Sequence, residues 1–183
     1  MKTISKLTQK KKYKNYFYSH KKAMIRAFYE ALQCRDLEWF IKDPETLKKL
    51  WLRVLEHDDD KWDDKEKRKI YQNYLCPIDR EQRKKYHSQY KELEKQHQEE
   101  VDHHWQARCL DTDFTLETEL ACFEEILDWI AHNKRPYQVW ETQQKIMAIP
   151  KIQKDFMEKC IYQGIDKKYI LLNEGKTNGW DQF

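Results

Sequence analysis

The sequence reads LEHDDDKW at residues 55–62 and HQEEVDHHW at residues 97–105. The chain has seven histidines, and four of them, His57, His97, His103 and His104, lie in these two runs beside several carboxylates. Neutral imidazoles and carboxylates together form a donor set that suits borderline divalent ions such as Mn, Fe, Co, Ni or Zn. The same residues would serve equally well on solvated faces of polar helices. Which reading applies depends on the elements that carry them.

The chain reads as a string of helices. Residues 16–34 place Met24, Phe28 and Leu32 at intervals of four, with His20 on the same stripe. Asp43 and Pro44 form a helix start, and Leu47, Leu50, Trp51, Val54 and Leu55 follow the helical period. His57 and Asp58 continue that stripe at its buried edge. A shorter helix is expected over 64–75, ended by CPID at 76–79. A long helix is then expected from Arg80 to Arg108, with Tyr86, Tyr90, Leu93, His97, Val101 and His104 inward. That spacing sets His97 and His104 one heptad apart, about 10 Å along the axis, and turns His103 about 100° away, to the periphery. Thr115 caps a helix over 116–132, the most apolar of the chain, with Asp128 set between Leu127 and Trp129. Further helices are expected over 137–148, with Val139, Trp140 and Ile146 inward, and after Pro150, stopped by Gly164.

Composition supports this reading. With 183 residues the chain fits one domain with a core of its own. Three glycines and four prolines supply too little turn material for an all-β domain. Aromatics at 14% exclude a disordered chain. Cys34, Cys76, Cys109, Cys122 and Cys160 are scattered, odd in number and without a CxxC pair. They read as reduced thiols of a soluble cytoplasmic protein. No apolar run approaches the roughly 18 residues of a membrane span. Residues 1–22 hold eight lysines and no acid, and the remainder carries about −5. The organisation expected is a basic arm (1–15), a single all-α helical bundle (16–165) and a C-terminal tail (166–183).

Six candidate ligands, His20, His57, Asp58, His97, His104 and Asp128, thus lie on or beside apolar stripes of four helices. Each has a plain alternative. An HD dipeptide arises by chance, His20 can sit at the surface of a basic helix, His97 and His104 can be hydrogen-bonded core residues, and Asp128 can pair with an arginine. Burying all six unpaired would cost several kcal/mol, and a shared metal removes that cost.

The order His, His-Asp, His and His, Asp on a helical chain resembles the HD-domain superfamily of metal-dependent phosphohydrolases, over roughly residues 16–133. HDDDKW, HQEEVDHHW and LDWIA look like the motifs of a group of bacterial and phage HD-like proteins of unassigned function. That group carries HD-x-S-K-aromatic, a His followed six and seven residues later by HHW, and a DW pair. This chain departs from it at Asp60, where serine is usual, and at Val101-Asp102, where Asn is frequent. The resemblance implies an HD-like fold in which His20, His57, Asp58 and Asp128 hold one ion. It also implies that His97 and His104 hold a second, with His103 the marginal member and Asp58 bridging. One or two divalent ions (Mn, Fe, Ni, Co, Zn or Mg) would act as cofactor.

The activity so implied is phosphatase or phosphodiesterase hydrolysis of a nucleotide or related phosphate ester. Asp58 and Lys61 would take part in catalysis, Lys61 as the phosphate contact. Lys61 reads equally well as a surface partner of Asp63 or Asp64. Glu100 and Glu124 are candidate proton-transfer groups, and Trp105 and Trp129 pack around the site. KKKYKNYFYSHKK at 10–22 interleaves lysines with aromatics, a pattern that can recruit nucleotide or nucleic acid or simply anchor a solvated helix. The alternative function is a non-catalytic helical binding protein, a phage-type factor engaging a host protein or nucleic acid.

Overall fold

A computed structural model describes residues 6–108, 113–146 and 148–165. Among these residues the fold is all-α, and no strand occurs. Its helices are α1 (Lys6–Leu32), α2 (Glu38–Ile41), α3 (Pro44–Glu56), α4 (Asp59–Asp63), α5 (Lys65–Leu75) and α6 (Arg80–Glu100). α7 (Trp105–Arg108), α8 (Leu116–Ala131), α9 (Pro136–Ile146) and α10 (Lys151–Glu158) follow. A 3₁₀ turn (Arg35–Leu37) precedes α2, and a widened π segment (Lys159–Ile165) continues α10. No described helix is long and apolar enough to cross a membrane.

The core forms around α8, where eleven of sixteen residues are buried. Its start is fixed by a capping box, with the Thr115 hydroxyl accepting from the Thr118 amide while the Thr118 hydroxyl accepts from the Thr115 amide. Its end is a Schellman turn. Asn133 takes a left-handed conformation (φ 55°), Asn133 N donates to Ile130 O, and Lys134 N donates to Trp129 O. α1, α3, α9 and α10 pack on α8 and enclose Met24, Phe28, Leu50, Val54, Phe123, Ile126, Leu127 and Ile161. Each such side chain contributes about 1.5–3 kcal/mol by leaving water. α5 and α6 form an antiparallel pair that meets the rest through α4, α7 and α1.

Several expectations change. The lysine-rich stretch from Lys6 onward is the N-terminal half of α1, continuous with the part that carries His20. The long helix ends at Glu100, with Val101 extended (φ −92°, ψ 120°), and α7 is a separate turn. Gly164 does not stop the last helix through a left-handed turn, since its φ is not positive. It is small because Leu37 packs onto it: a Cβ there would lie 2.5 Å from Leu37 Cδ2. Cys34, Cys122 and Cys160 are buried free thiols and Cys76 is half-buried. Cys109, the Ile146 side chain and the 166–183 tail lie outside the described residues.

Candidate metal centre

Five segments bring the histidines and aspartates of the two runs together. His20 projects from the buried side of α1, four residues before the fully buried Met24. His57 caps the C-terminal end of α3 with extended geometry (φ −47°, ψ 124°). Asp58 follows with φ 62° and ψ 14°, a left-handed conformation, before α4 begins. Asp is among the few residues that tolerate this backbone, at a cost of about 1–2 kcal/mol. The kink turns the Asp58 carboxylate inward between the two helices. His97 lies in the last turn of α6, His103 and His104 lie on the turn that follows, and Asp128 comes from the last turn of α8.

The donor atoms divide between the two oxygens of Asp58. On one side, His20 Nε2 and His57 Nε2 each lie 3.8 Å from Asp58 Oδ2. The same two nitrogens lie 3.1 and 3.3 Å from Asp128 Oδ1. On the other side, His97 Nε2 is 3.0 Å and His103 Nε2 4.0 Å from Asp58 Oδ1. His97, His103 and His104 offer ring nitrogens within 4.8 Å of one another. Despite these short separations, the Nε2 atoms of all five histidines, Asp58 Oδ1 and Asp128 Oδ1 are buried without a hydrogen bond.

His103 therefore is not peripheral. It is buried, and its Nδ1 lies 3.4 Å from Glu124 Oε1. The helical wheel misplaces it because the helix has already ended at Glu100.

Carboxylates behind the rings set their tautomers. Glu124 Oε1 faces His57 Nδ1 at 2.8 Å, and Asp60 Oδ2 faces His97 Nδ1 at 3.2 Å. An ionised carboxylate only accepts, so each Nδ1 carries the hydrogen and Nε2 presents its lone pair inward. Lone pairs on imidazoles and carboxylates cannot satisfy one another and need a shared cation. The spacing fits one. Ligands held about 2.1 Å from an ion lie about 3.0 Å apart in an octahedron and about 3.4 Å in a tetrahedron. His/Asp/Glu groups at these separations can hold a metal ion, and the donor mix suits a divalent transition ion without selecting which.

In the protein alone, protons do part of this work. Burial opposes charge on His57, but Asp58, Asp128 and Glu124 outweigh it and raise its pKa to about 10. Burial also works against the Asp58 carboxylate, yet Lys61, His57 and His97 hold it well below the usual carboxylate range. Asp128 is likewise held low, against burial, by His20 and His57. Burial, then His97 and Lys61, push His104 down to about 3. His103 falls well below its ordinary value through burial, His57 and His104.

Other expected roles shift. Glu124 stands behind His57 and His103, with its second oxygen accepting from Arg53 Nε at 2.8 Å. Glu100 is exposed at the end of α6. Lys61 pairs with neither Asp63 nor Asp64. Its Nζ lies 3.0 Å from Asp58 Oδ2 and 3.6 Å from Glu94, above the Tyr71 ring. Trp129 is buried in the core and Trp105 is half-buried at the start of α7.

Sequence reasoning missed His132 and Arg53. The His132 ring stacks on His20 at 4.5 Å, its Nε2 lies 3.5 Å from Asp128 Oδ1, and its side chain is 40% exposed. Its signal was the i,i+4 spacing from Asp128. Arg53 bridges Glu124 and Asp102, and its signal was the same spacing before His57. Comparison with protein-family models, with curated proteins and with solved structures returned no match.

Proposed function

We propose that this chain is an HD-like, metal-dependent phosphohydrolase, a phosphatase or phosphodiesterase acting on a nucleotide or related phosphate ester. One observation carries the reading: seven buried donor atoms without hydrogen bonds cluster together, five histidine Nε2 atoms and one oxygen each from Asp58 and Asp128. His20, His57, Asp58 and Asp128 would hold one divalent ion, and His97, His103 and His104 a second, with Asp58 shared. Bound there, such ions would acidify a water and neutralise charge on a phosphoryl group. The chain's own residues do the rest. Glu124 and Asp60 fix the rings. Lys61 neutralises Asp58 and stands ready to turn toward a phosphoryl oxygen. His132 and Tyr16, both partly exposed, border the centre.

The test is elemental mass spectrometry of purified protein beside the Asp58→Asn variant. Asparagine tolerates the left-handed backbone at position 58, so the variant keeps its fold, checked by circular dichroism. About one to two ions per chain in the wild type, lost in the variant, supports the reading, and a phosphatase and phosphodiesterase substrate screen follows. A folded wild type that takes up no Mn, Fe, Co, Ni or Zn sinks it. The non-catalytic binding protein then becomes the better account.

A further inference from the structure

The N-terminal half of α1, residues 6–19, supplies no donor to the centre. It holds five lysines and no acid, and Lys6, Lys10, Lys11, Lys12 and Lys14 are all exposed. The opposite side of this half-helix is locked down. Gln9 is buried and donates to Asn73 Oδ1 at 3.1 Å and to Gln82 Oε1 at 2.8 Å. That network sets the start of α6 beside α1, where Arg80, Arg83 and Lys85 are exposed. The nearby acids are engaged: Asp79 caps α6, and Glu81 pairs with Lys84. A basic face from two helices is thus held in a fixed shape.

Aromatic rings run along the same track. Tyr13 and Phe17 stack on Trp62, with centroids 5.8 and 5.1 Å apart. At the rim of this cluster Tyr18 remains 45% exposed, four residues after Lys14 and eight after Lys10 on one helix face, whereas Tyr16 turns to the other side. Lys14 stands 5.7 Å from the Tyr18 ring. The track ends at His20, about 21 Å along the helix from Lys6.

We propose that this face binds a single-stranded polynucleotide, with lysines on its phosphates and Tyr18 under one of its bases. Exposed rings beside lysines are what sequence-tolerant single-strand binding uses, because every base offers a face to stack. A duplex hides those faces. An anionic membrane would need a free apolar helix face, and here that face is buried against α5 and α8. Along α1 itself the cations are lysines rather than arginines, which suits backbone attraction over reading of base edges. That the strand is also a substrate rests on the phosphohydrolase reading; the binding does not.

The experiment is fluorescence anisotropy with a labelled oligothymidylate 20-mer, in chelator so that no strand is cut, over a salt series. Log affinity should fall with log salt at about 0.7 per contacted phosphate. Lys10→Gln/Lys11→Gln/Lys14→Gln should lower that slope by about 2. Tyr18→Ala should weaken binding about 5- to 150-fold with the slope unchanged. Circular dichroism checks both variants. Equal affinity for polyglutamate, tighter binding of the matching duplex, or indifference to Tyr18→Ala overturns the proposal. Ion content is measured on the same preparation. Ions without oligonucleotide binding would refute this surface alone, and oligonucleotide binding without ions would refute the phosphohydrolase alone.

Discussion

Glu124 touches both halves of the centre, so replacing it is the most discriminating perturbation. Its Oε1 faces Nδ1 of His57, which belongs to the His20–Asp128 side, and Nδ1 of His103, which belongs to the His97 side. Its Oε2 accepts from Arg53. Glu124→Gln keeps the shape and removes the charge. Two effects follow and they separate cleanly. In chelator, the variant loses about 1–3 kcal/mol because half-buried Arg53 and buried His57 lose their charged acceptor. With ion, it also loses affinity, since outer carboxylates that orient ligating rings are each worth about 10- to 100-fold. That factor corresponds to about 1.4–2.7 kcal/mol. At a free Mn²⁺ concentration far above both dissociation constants, the difference appears in full as lost ion-induced stabilisation. For a chain of this size it equals about 3–11 °C of melting temperature. The assay is a set of four melts, wild type and variant, each with chelator and with Mn²⁺. An ion-induced rise of equal size in both proteins would refute ring orientation by Glu124. No rise in the wild type would refute the metal centre itself.

Two further outcomes are expected. In chelator, the His57 imidazolium, its pKa raised from 6.5 to about 10, stabilises the fold fully below pH 6.5 and ceases to do so as pH climbs through 10. Asp58 and Asp128, held below their ordinary 3.8, contribute above about pH 4 and are lost in acid. Melting temperature should therefore decline from pH 6.5 to 10, and a flat or rising profile there would contradict the charge assignment. Separately, Gly164→Ala drives a methyl into Leu37, which is fully buried. It should cost about 1–3 kcal/mol in a denaturant titration, and a neutral result would show that Leu37 can move aside.

The helical fold was legible because periodicity is a local property. His20, Met24 and Phe28 share a stripe, as do Val54 and His57, and four-residue steps within one uninterrupted helix place such side chains on one side. The expectation failed where long-range contacts end a helix without glycine or proline. At Val101-Asp102 the chain turns while Asp102 is held by Arg53, forty-nine positions earlier, and by Arg108 on its carbonyl. Periodicity sees neither contact, so His103 was turned outward. Asp60 stands where a serine was usual for the resemblance, and that same departure supplies the acceptor for His97 Nδ1. His132 lies one residue past the end of α8, where a stripe offers no guidance. Glu124 was noticed as a carboxylate, but which ring stands in front of it is a tertiary fact.

The division of the fold gives the cluster a mechanical role. The α5–α6 hairpin leans on α1, while α8 forms the centre of the opposite lobe. His97, at the open end of that hairpin, meets Asp58, and Asp58 meets the rings facing Asp128. Whatever cation sits among these atoms, proton or metal, acts as a weld between the two lobes, added to the packing of α4 and α1 on α5 and to the Arg53–Asp102 ion pair. Its loss would free the hairpin to swing. Amide exchange in residues 80–100 should then speed up ahead of exchange in 116–131, and the two lobes would part before either one melts.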